Sequence, residues 1–263
     1  MITVAQLGQV FVKATQFLHP QRVEIDPAGI RFDRAFALVE ADDRLVGSDQ
    51  HGNFFPLKFD FDPQAERLRL QYADGRTLEG SALGNGRAWA VDHFGLRTIS
   101  GAEVDGPWLD ALSDFAGRSI RLVRCVSKGA AVDVLPVTLL TTGSLRRIAQ
   151  EVGGAVDAAR FRAGLVLDNS IEHEEDQWDG KHLRIGTALL RVRTPVPRCG
   201  ITGFNPTSGQ RDQEVMKGMI RYRAKASLPD GMLPDYATPG FASYAEVIEA
   251  GTVSVGDRVE VLT

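Results

Sequence analysis

Cysteine is scarce in this chain: Cys125 and Cys199 are the only two among 263 residues. A small secreted domain stapled by disulfides carries more, so the pair reads as two thiols in a reducing compartment. Two cysteines at this spacing cannot build a four-ligand zinc site. Long apolar runs are missing too, and no stretch approaches the roughly 18 residues that a membrane helix needs. The start, Met1-Ile2-Thr3-Val4-Ala5-Gln6-Leu7-Gly8, has no basic opening followed by an apolar run, which argues against a secretory signal. A cytoplasmic location is expected. No excess of one charge is present either. The formal net charge is −4, with 30 Lys and Arg against 34 Asp and Glu, so there is no overall pull on nucleic acid or anionic lipid. A local basic pocket is still affordable. Internal repeats, low-complexity tracts and compositional linkers are absent.

The familiar catalytic motifs fail one by one. Gly84-Asn85-Gly86 is followed by Trp89 where a dinucleotide fingerprint needs its third glycine. No Walker sequence and no Gly-x-Ser-x-Gly elbow occurs. His173-Glu174 lacks the second histidine of a zinc-protease helix.

What is present is mostly β. Short alternating runs recur in residues 1–100, at Val23-Glu24-Ile25, Ala35–Val39 and Leu68–Tyr72, with turn signals at Asp26-Pro27-Ala28-Gly29 and Ala73-Asp74-Gly75. Such spacing predicts a barrel or sandwich. Asp105-Gly106-Pro107 opens a helix that carries Trp108, Leu109, Leu112 and Phe115 on one face and stops at Gly117. Strands are expected over 120–125, 137–140, 165–167, 183–185 and 188–192. Ser144 is read as the N-cap of a helix that ends at Gly153-Gly154. Residues 211–222 suit an amphipathic helix, and 253–262 a closing β-hairpin. The seam between two parts is placed near 100–118, where β-rich sequence gives way to the first helix.

A scattered set of residues remains: Lys13, Arg34, Ser144, Arg162, Arg198 and Cys199. Each has an ordinary explanation, since Lys and Arg mostly sit in solvent and a lone Cys is most often a small buried hydrophobe. Two local features argue for more. Pro195-Val196-Pro197-Arg198-Cys199-Gly200 sets a thiol beside a cation in a segment too rich in Pro and Gly for a central strand, and an adjacent Arg favours the thiolate. Ser144 starts a helix whose free N–H groups can hold a phosphate, with Arg146 and Arg147 adding charge. The residues alone thus indicate an anion pocket and one activated thiol.

Arg160-Phe161-Arg162-Ala163-Gly164 resembles the Arg-Phe-Arg-Pro-Asn segment of MOSC domains. Glu174-Glu175-Asp176-Gln177-Trp178 is similar to their acidic-Trp block, and Pro197-Arg198-Cys199 with Asn205-Pro206-Thr207-Ser208-Gly209 to their Arg-Cys and Asp-Pro-x-Thr-Gly stretch. Val253–Val259 resembles the closing strand pair. Val12-Lys13 and Gly29–Arg34 resemble the N-terminal β-barrel domain that accompanies MOSC in the mitochondrial amidoxime reducing component and its bacterial relatives.

The resemblance implies a β-rich α+β protein, with an N-terminal MOSC-associated β-barrel domain over 1–100, a MOSC β-barrel over 101–263 and a ligand cleft between them. It implies a molybdenum cofactor (Mo-molybdopterin) with Cys199 as the protein thiolate on the metal. Lys13, Arg34, Ser144, Arg162 and Arg198 would hold its phosphate and pterin. The implied activity is reduction of N-hydroxylated or related N–O substrates, fed by a separate electron-donor protein of ferredoxin or flavin type. Two alternatives follow from the same resemblance: a carrier of the cofactor or of sulfur, and molybdenum-dependent cleavage of a carbon–sulfur or sulfur–oxygen bond. Three departures from the family's pattern, Ala14 for Ser, Gly164 for Asn and Gly143 for Thr, are each expected to remove a polar contact from the ligand. Segment 205–240 is the expected specificity region. Cys125, on the apolar face of its strand, is expected to be buried and inert.

Overall fold

The computed structural model describes residues 1–47, 52–93, 95–226, 228, 232 and 238–262. Part of the expected specificity segment 205–240, at 227, 229–231 and 233–237, lies outside the described residues.

The chain is strand-rich with short helices, as the alternation predicts. Seven strands close into a barrel in the order Ile2–Leu7, Leu165–Asp168, Val137–Thr141, Gly240–Glu249, Ala188–Pro197, His182–Ile185 and Arg258–Leu262. The last of these pairs back onto the first. Val137–Thr141 and Leu165–Asp168 run parallel. A parallel pair needs a crossover, and the helix Thr142–Val152 (α2 below; α1 is Trp108–Ala116 and α3 Val215–Ile220) lies in it. Leu7, Leu139, Leu165, Leu183, Leu190 and Val192 fill the barrel.

A second core belongs to two sheets, one of Phe36–Glu40, Ile120–Cys125, Arg97–Val104 and Gly84–His93, the other of Lys58–Asp62, Arg67–Gln71 and Thr77–Ser81. In Arg67–Gln71 every second residue is buried, which is the period of a half-buried strand. Leu68 and Leu70 meet Phe36, Phe59, Phe61, Trp108 and Leu122 there. The first sheet has four strands and the second three, and only the seven-stranded set closes into a barrel among the described residues. Strand pairing crosses residue 100 in both directions. Ile2–Leu7 is a barrel strand, while Ile120–Cys125 pairs with Phe36–Glu40.

α1 ends at Gly117 (φ 66°) and α2 at Gly153 (φ 78°), both left-handed, as the glycines predict. On α1, Trp108 and Leu112 are buried, but Leu109 and Phe115 are exposed. α3 has six residues, shorter than the segment 211–222 suggests.

Two expectations need correction. Residues 253–262 are not a hairpin: Gly251–Ser254 pairs with Arg22–Asp26, whereas Arg258–Leu262 pairs with His182–Ile185 and Ile2–Leu7. The intervening turn passes the chain from one sheet to another. The prolines at 195 and 197 do lie in a strand. They occupy the end of Ala188–Pro197 beyond Arg191, where pairing to His182–Ile185 has stopped and the register to the other neighbour slips. A missing N–H is tolerated at such an edge.

Among the described residues no helix is long and apolar enough to cross a membrane.

Candidate functional site

A cavity of about 480 Å³ opens where the barrel meets the N-terminal sheets, a size typical of small-molecule sites. Lys13, Arg34, Arg162, Arg198 and Cys199 all line it. The chain thus brings together five of the six residues singled out in the sequence, from positions far apart.

Each is held by local backbone. Lys13 N donates to Phe36 O at 2.8 Å, and Arg34 N to Val10 O at 2.6 Å. Arg34 and Arg162 both adopt left-handed backbone, at φ 51° and 50°, as does Ala14 beside Lys13 at φ 71°. Non-glycine residues pay for that conformation in strain, and it clusters at functional sites. Arg162 caps the short turn Ala158–Phe161. Arg198 and Cys199 follow the last residue of the strand Ala188–Pro197. Cys199 is exposed, so the thiol is accessible from the cavity.

The cations are only partly neutralised from within. Lys13 Nζ donates to Ala131 O at 2.7 Å and to Asp133 Oδ1 at 2.5 Å. Arg34 pairs with the buried Asp33. Arg162 gives Nη1 to Thr15 O at 3.0 Å and lies 4.6 Å above the Phe17 ring. Arg198 gives Nε to Phe241 O at 2.7 Å and Nη1 to Phe161 O at 2.8 Å. The Nη2 groups of Arg162 and Arg198 are buried and have no hydrogen-bond partner. A buried donor left unmade is costly, and more so when charged, so these two point to a ligand.

Crowding shifts the acid–base balance of these groups. Burial, then the neighbouring Arg34 charge, lowers Arg162 to about 9. Burial lowers Arg198 to about 10 against the opposing pull of Tyr244 and Cys199. Lys13 is lowered by burial, which the Asp133 carboxylate partly offsets. Burial would raise Asp133, but the charges of Lys13 and Arg34 outweigh it and hold that carboxyl well below its ordinary range. An anion placed here would relieve repulsion among cations.

Ser144 stands elsewhere. It is fully buried in α2 and does not line the cavity. The N-cap of α2 is Thr141, whose side chain accepts from Ser144 N. The helix start does attract an anion, but a resident one. Glu175 accepts from Ser144 Oγ and from Thr141 Oγ1, each at 2.6 Å, and from Thr141 N at 3.4 Å. Asn169 Oδ1 accepts from Gly143 N at 3.1 Å. The phosphate site read at Ser144 is therefore filled by the chain's own side chains. Gly143 is explained by the same packing, since a Cβ there would lie 2.1 Å from Ile171 O. Its lack of a side chain removes nothing from the cavity. Gly164 does line the cavity, where a Cβ would meet Ile30 Cδ1 at 3.0 Å.

Sequence reasoning missed Asp33, His93, Asp133 and Tyr244, which also line the cavity. Asp33 was legible as the acidic neighbour of Arg34. Nothing local marks Asp133, which reaches Lys13 across 120 residues. Cys125 sits in a strand with Val123, half-buried, and burial pushes its thiol up to about 11. It is less buried than expected, and a raised thiol disfavours the reactive thiolate. Among the described residues no group of three or more His, Cys, Asp or Glu could hold a metal by protein ligands alone.

Comparison with known proteins finds distant relatives along most of the chain. Over 98% of its length the chain is 22% identical to mitochondrial amidoxime reducing component 2 of Bos taurus, spanning 82% of that protein. It is 24% identical over 95% of its length to the molybdenum cofactor sulfurase of Caenorhabditis briggsae, of which it spans 35%. Among solved structures, the YUAD protein from Bacillus subtilis aligns over 99% of this chain and 96% of that one, with TM-score 0.44 and 11% identity. The MOSC domain family matches residues 128–260, which contain the barrel strands after the first, Arg162, Arg198 and Cys199, and the chain belongs to that family.

Proposed function

We propose that this chain binds a molybdenum cofactor in the cavity, with Cys199 as the thiolate on the metal, and reduces N-hydroxylated or related N–O compounds. The observation that carries the reading is the pair of buried, unsatisfied Nη2 groups of Arg162 and Arg198 in the cavity that Cys199 lines. Guanidinium forks suit phosphate and the polar edge of a pterin. A soft thiolate suits a metal already held by sulfur. The relative named a molybdenum cofactor sulfurase supports that cofactor, and the one named an amidoxime reducing component supports the N–O substrate class.

When bound, the cofactor supplies the two-electron redox chemistry that the protein side chains lack. The chain's residues bind and orient it. Lys13 and Arg34, each already sharing a carboxylate, set the positive end of the cavity, while Arg162 and Arg198 offer donors. Tyr244 keeps its proton at the wall, because burial raises its hydroxyl, while Asp133 stays ionised beside Lys13. Electrons must come from a separate donor protein, of ferredoxin or flavin type. Delivery of the cofactor or of sulfur without turnover is the second reading, favoured by the exposure of Cys199.

Protein made in a cofactor-competent host is expected to contain stoichiometric molybdenum and pterin, and to reduce benzamidoxime with an artificial electron donor. Molybdenum without turnover would select the carrier. Absence of both metal and pterin would overturn the reading.

A further inference from the structure

Arg160 lies two residues before Arg162 but points away from the cavity wall, into the support beneath Cys199. Its side chain is 4% exposed. Nη2 meets Asp212 Oδ1 at 2.7 Å and Oδ2 at 2.9 Å, and Nη1 donates to Thr202 O at 3.4 Å. Asn205 Nδ2 donates to the same carboxylate at 2.9 Å. Asp212 N and Gln213 N both reach Gly203 O, at 3.1 and 3.4 Å. Thr202 Oγ1 in turn donates to Cys199 O at 3.4 Å.

One guanidinium therefore joins two turns. The Ala158–Phe161 turn carries Arg162 at its end, and its Phe161 carbonyl accepts from Arg198. The Gly200–Gly203 turn starts from Cys199. Stability alone is a poor reason for such a contact. A buried ion pair seldom beats well-packed apolar residues, and Arg160 Nε is left buried without a partner. What an Arg offers that Leu or Met does not is a rigid fork with donors in fixed directions. A thiol that must meet a reacting group tolerates little misplacement.

We propose that Arg160 is a positioning residue for Cys199: it locks the Gly200–Gly203 turn to the Ala158–Phe161 turn and so sets where the thiol stands relative to Arg162 and Arg198. The proposal rests on Cys199 being the reactive thiol of the site. Asp212 and Asn205 complete the lock from the loop beyond.

Hydrogen exchange on the full, cofactor-free chain tests it first. Arg160→Met is expected to speed exchange of the amides at 200–204 about tenfold and to leave strands Ala188–Pro197 and Gly240–Glu249 unchanged. Asp212→Asn, on the more exposed side of the lock, is expected to do the same more mildly should Arg160→Met fold poorly. Arg160→Lys keeps the ion pair without the fork and is expected to restore protection only in part. In cofactor-loaded protein, Arg160→Met is expected to lower kcat about tenfold with KM and molybdenum content unchanged. Wild-type exchange at 200–204 in both Arg160→Met and Asp212→Asn overturns the proposal, and so does faster exchange spread evenly along the chain. If the local effect appears but wild-type protein takes up no molybdenum, the lock stands and the cofactor reading falls.

Discussion

Two places in this molecule gather donors around a negative charge, and they differ in what completes them. At the start of α2, Ser144, Thr141 and Gly143 give their donors to Glu175 and Asn169, side chains of the same chain. In the cavity, Lys13, Arg34, Arg162 and Arg198 stand with Asp33 and Asp133, and the Nη2 groups of Arg162 and Arg198 have nothing to bond. The first arrangement is closed and contributes to folding. The second is incomplete in the protein alone, which is the physical mark of a binding site. From sequence the helix start looked as good an anion site as the cavity, because Ser before an amphipathic helix fits a cap and a phosphate cradle equally.

The largest effect is expected at Cys199, in the open site. Cys199→Ser is expected to abolish turnover of loaded protein and to change the metal's spectrum, with cofactor retained in part by the cations. Cys125→Ser is the control. It leaves the metal in place and lowers stability by about 1–3 kcal/mol where the new hydroxyl lacks a partner. Full activity and an unchanged spectrum in Cys199→Ser would remove the thiol from the mechanism.

Next in size is the closed site. Glu175→Ala strips the acceptor from two buried hydroxyls and a backbone N–H, and about 3–5 kcal/mol of stability should go with it, as when one side of a buried polar pair is deleted. Ser144→Ala removes one donor from that carboxylate and should cost about 1–3 kcal/mol. Neither change should alter the molybdenum content of the protein that remains folded. Chemical denaturation with metal analysis separates the two quantities. Loss of cofactor from stable Ser144→Ala protein would restore the helix start as a ligand site.

The open site should respond the other way. Arg162→Met removes one unsatisfied donor and one of the crowded cations, so stability should move by less than about 1 kcal/mol while cofactor retention falls about 10–100-fold. Arg162→Lys keeps charge but not the fork and should recover little. A variant that lost stability without losing cofactor would show that Arg162 belongs to the fold alone.

How much of this was legible follows the range of the interactions. Alternation in Arg67–Gln71 and the stops at Gly117 and Gly153 depend on neighbours and could be read directly. The cations and Cys199 came from matching blocks to a family, since nothing local shows that Lys13 and Cys199 share a cavity. Failures came where a distant partner decides. Ser144 finds Glu175 at a separation of 31 residues. Val253 pairs with Val23 rather than folding back on Val259. A hairpin is the natural local reading of that end, and tertiary pairing overrides it.

The smallest expected effect uses a histidine in each place. His93 lines the cavity with Nε2 3.2 Å from Val132 O, and His173 Nδ1 lies 3.1 Å from Ser144 Oγ at the closed site. Both are lowered to about 4, chiefly by burial, with Lys13 adding to the effect on His93 and Arg223 on His173. An unfolded histidine takes up its proton near 6.5. Between the two values the unfolded chain binds more protons, so the stability is fully present above about pH 6.5 and is lost as pH falls toward 4. Each side chain should account for on the order of 1–2 kcal/mol of that loss after allowance for solvent screening. An anion beside Lys13 would offset the charge that depresses His93 and leave His173 untouched. Melting curves across this pH range, with and without inorganic phosphate, should therefore show a shallower acid loss with phosphate in wild type and in His173→Asn. In His93→Asn the acid loss should have the same slope with and without phosphate. If phosphate instead flattened the curve of His93→Asn and not that of His173→Asn, the open anion site would lie at the helix start, and the comparison would have to be reversed.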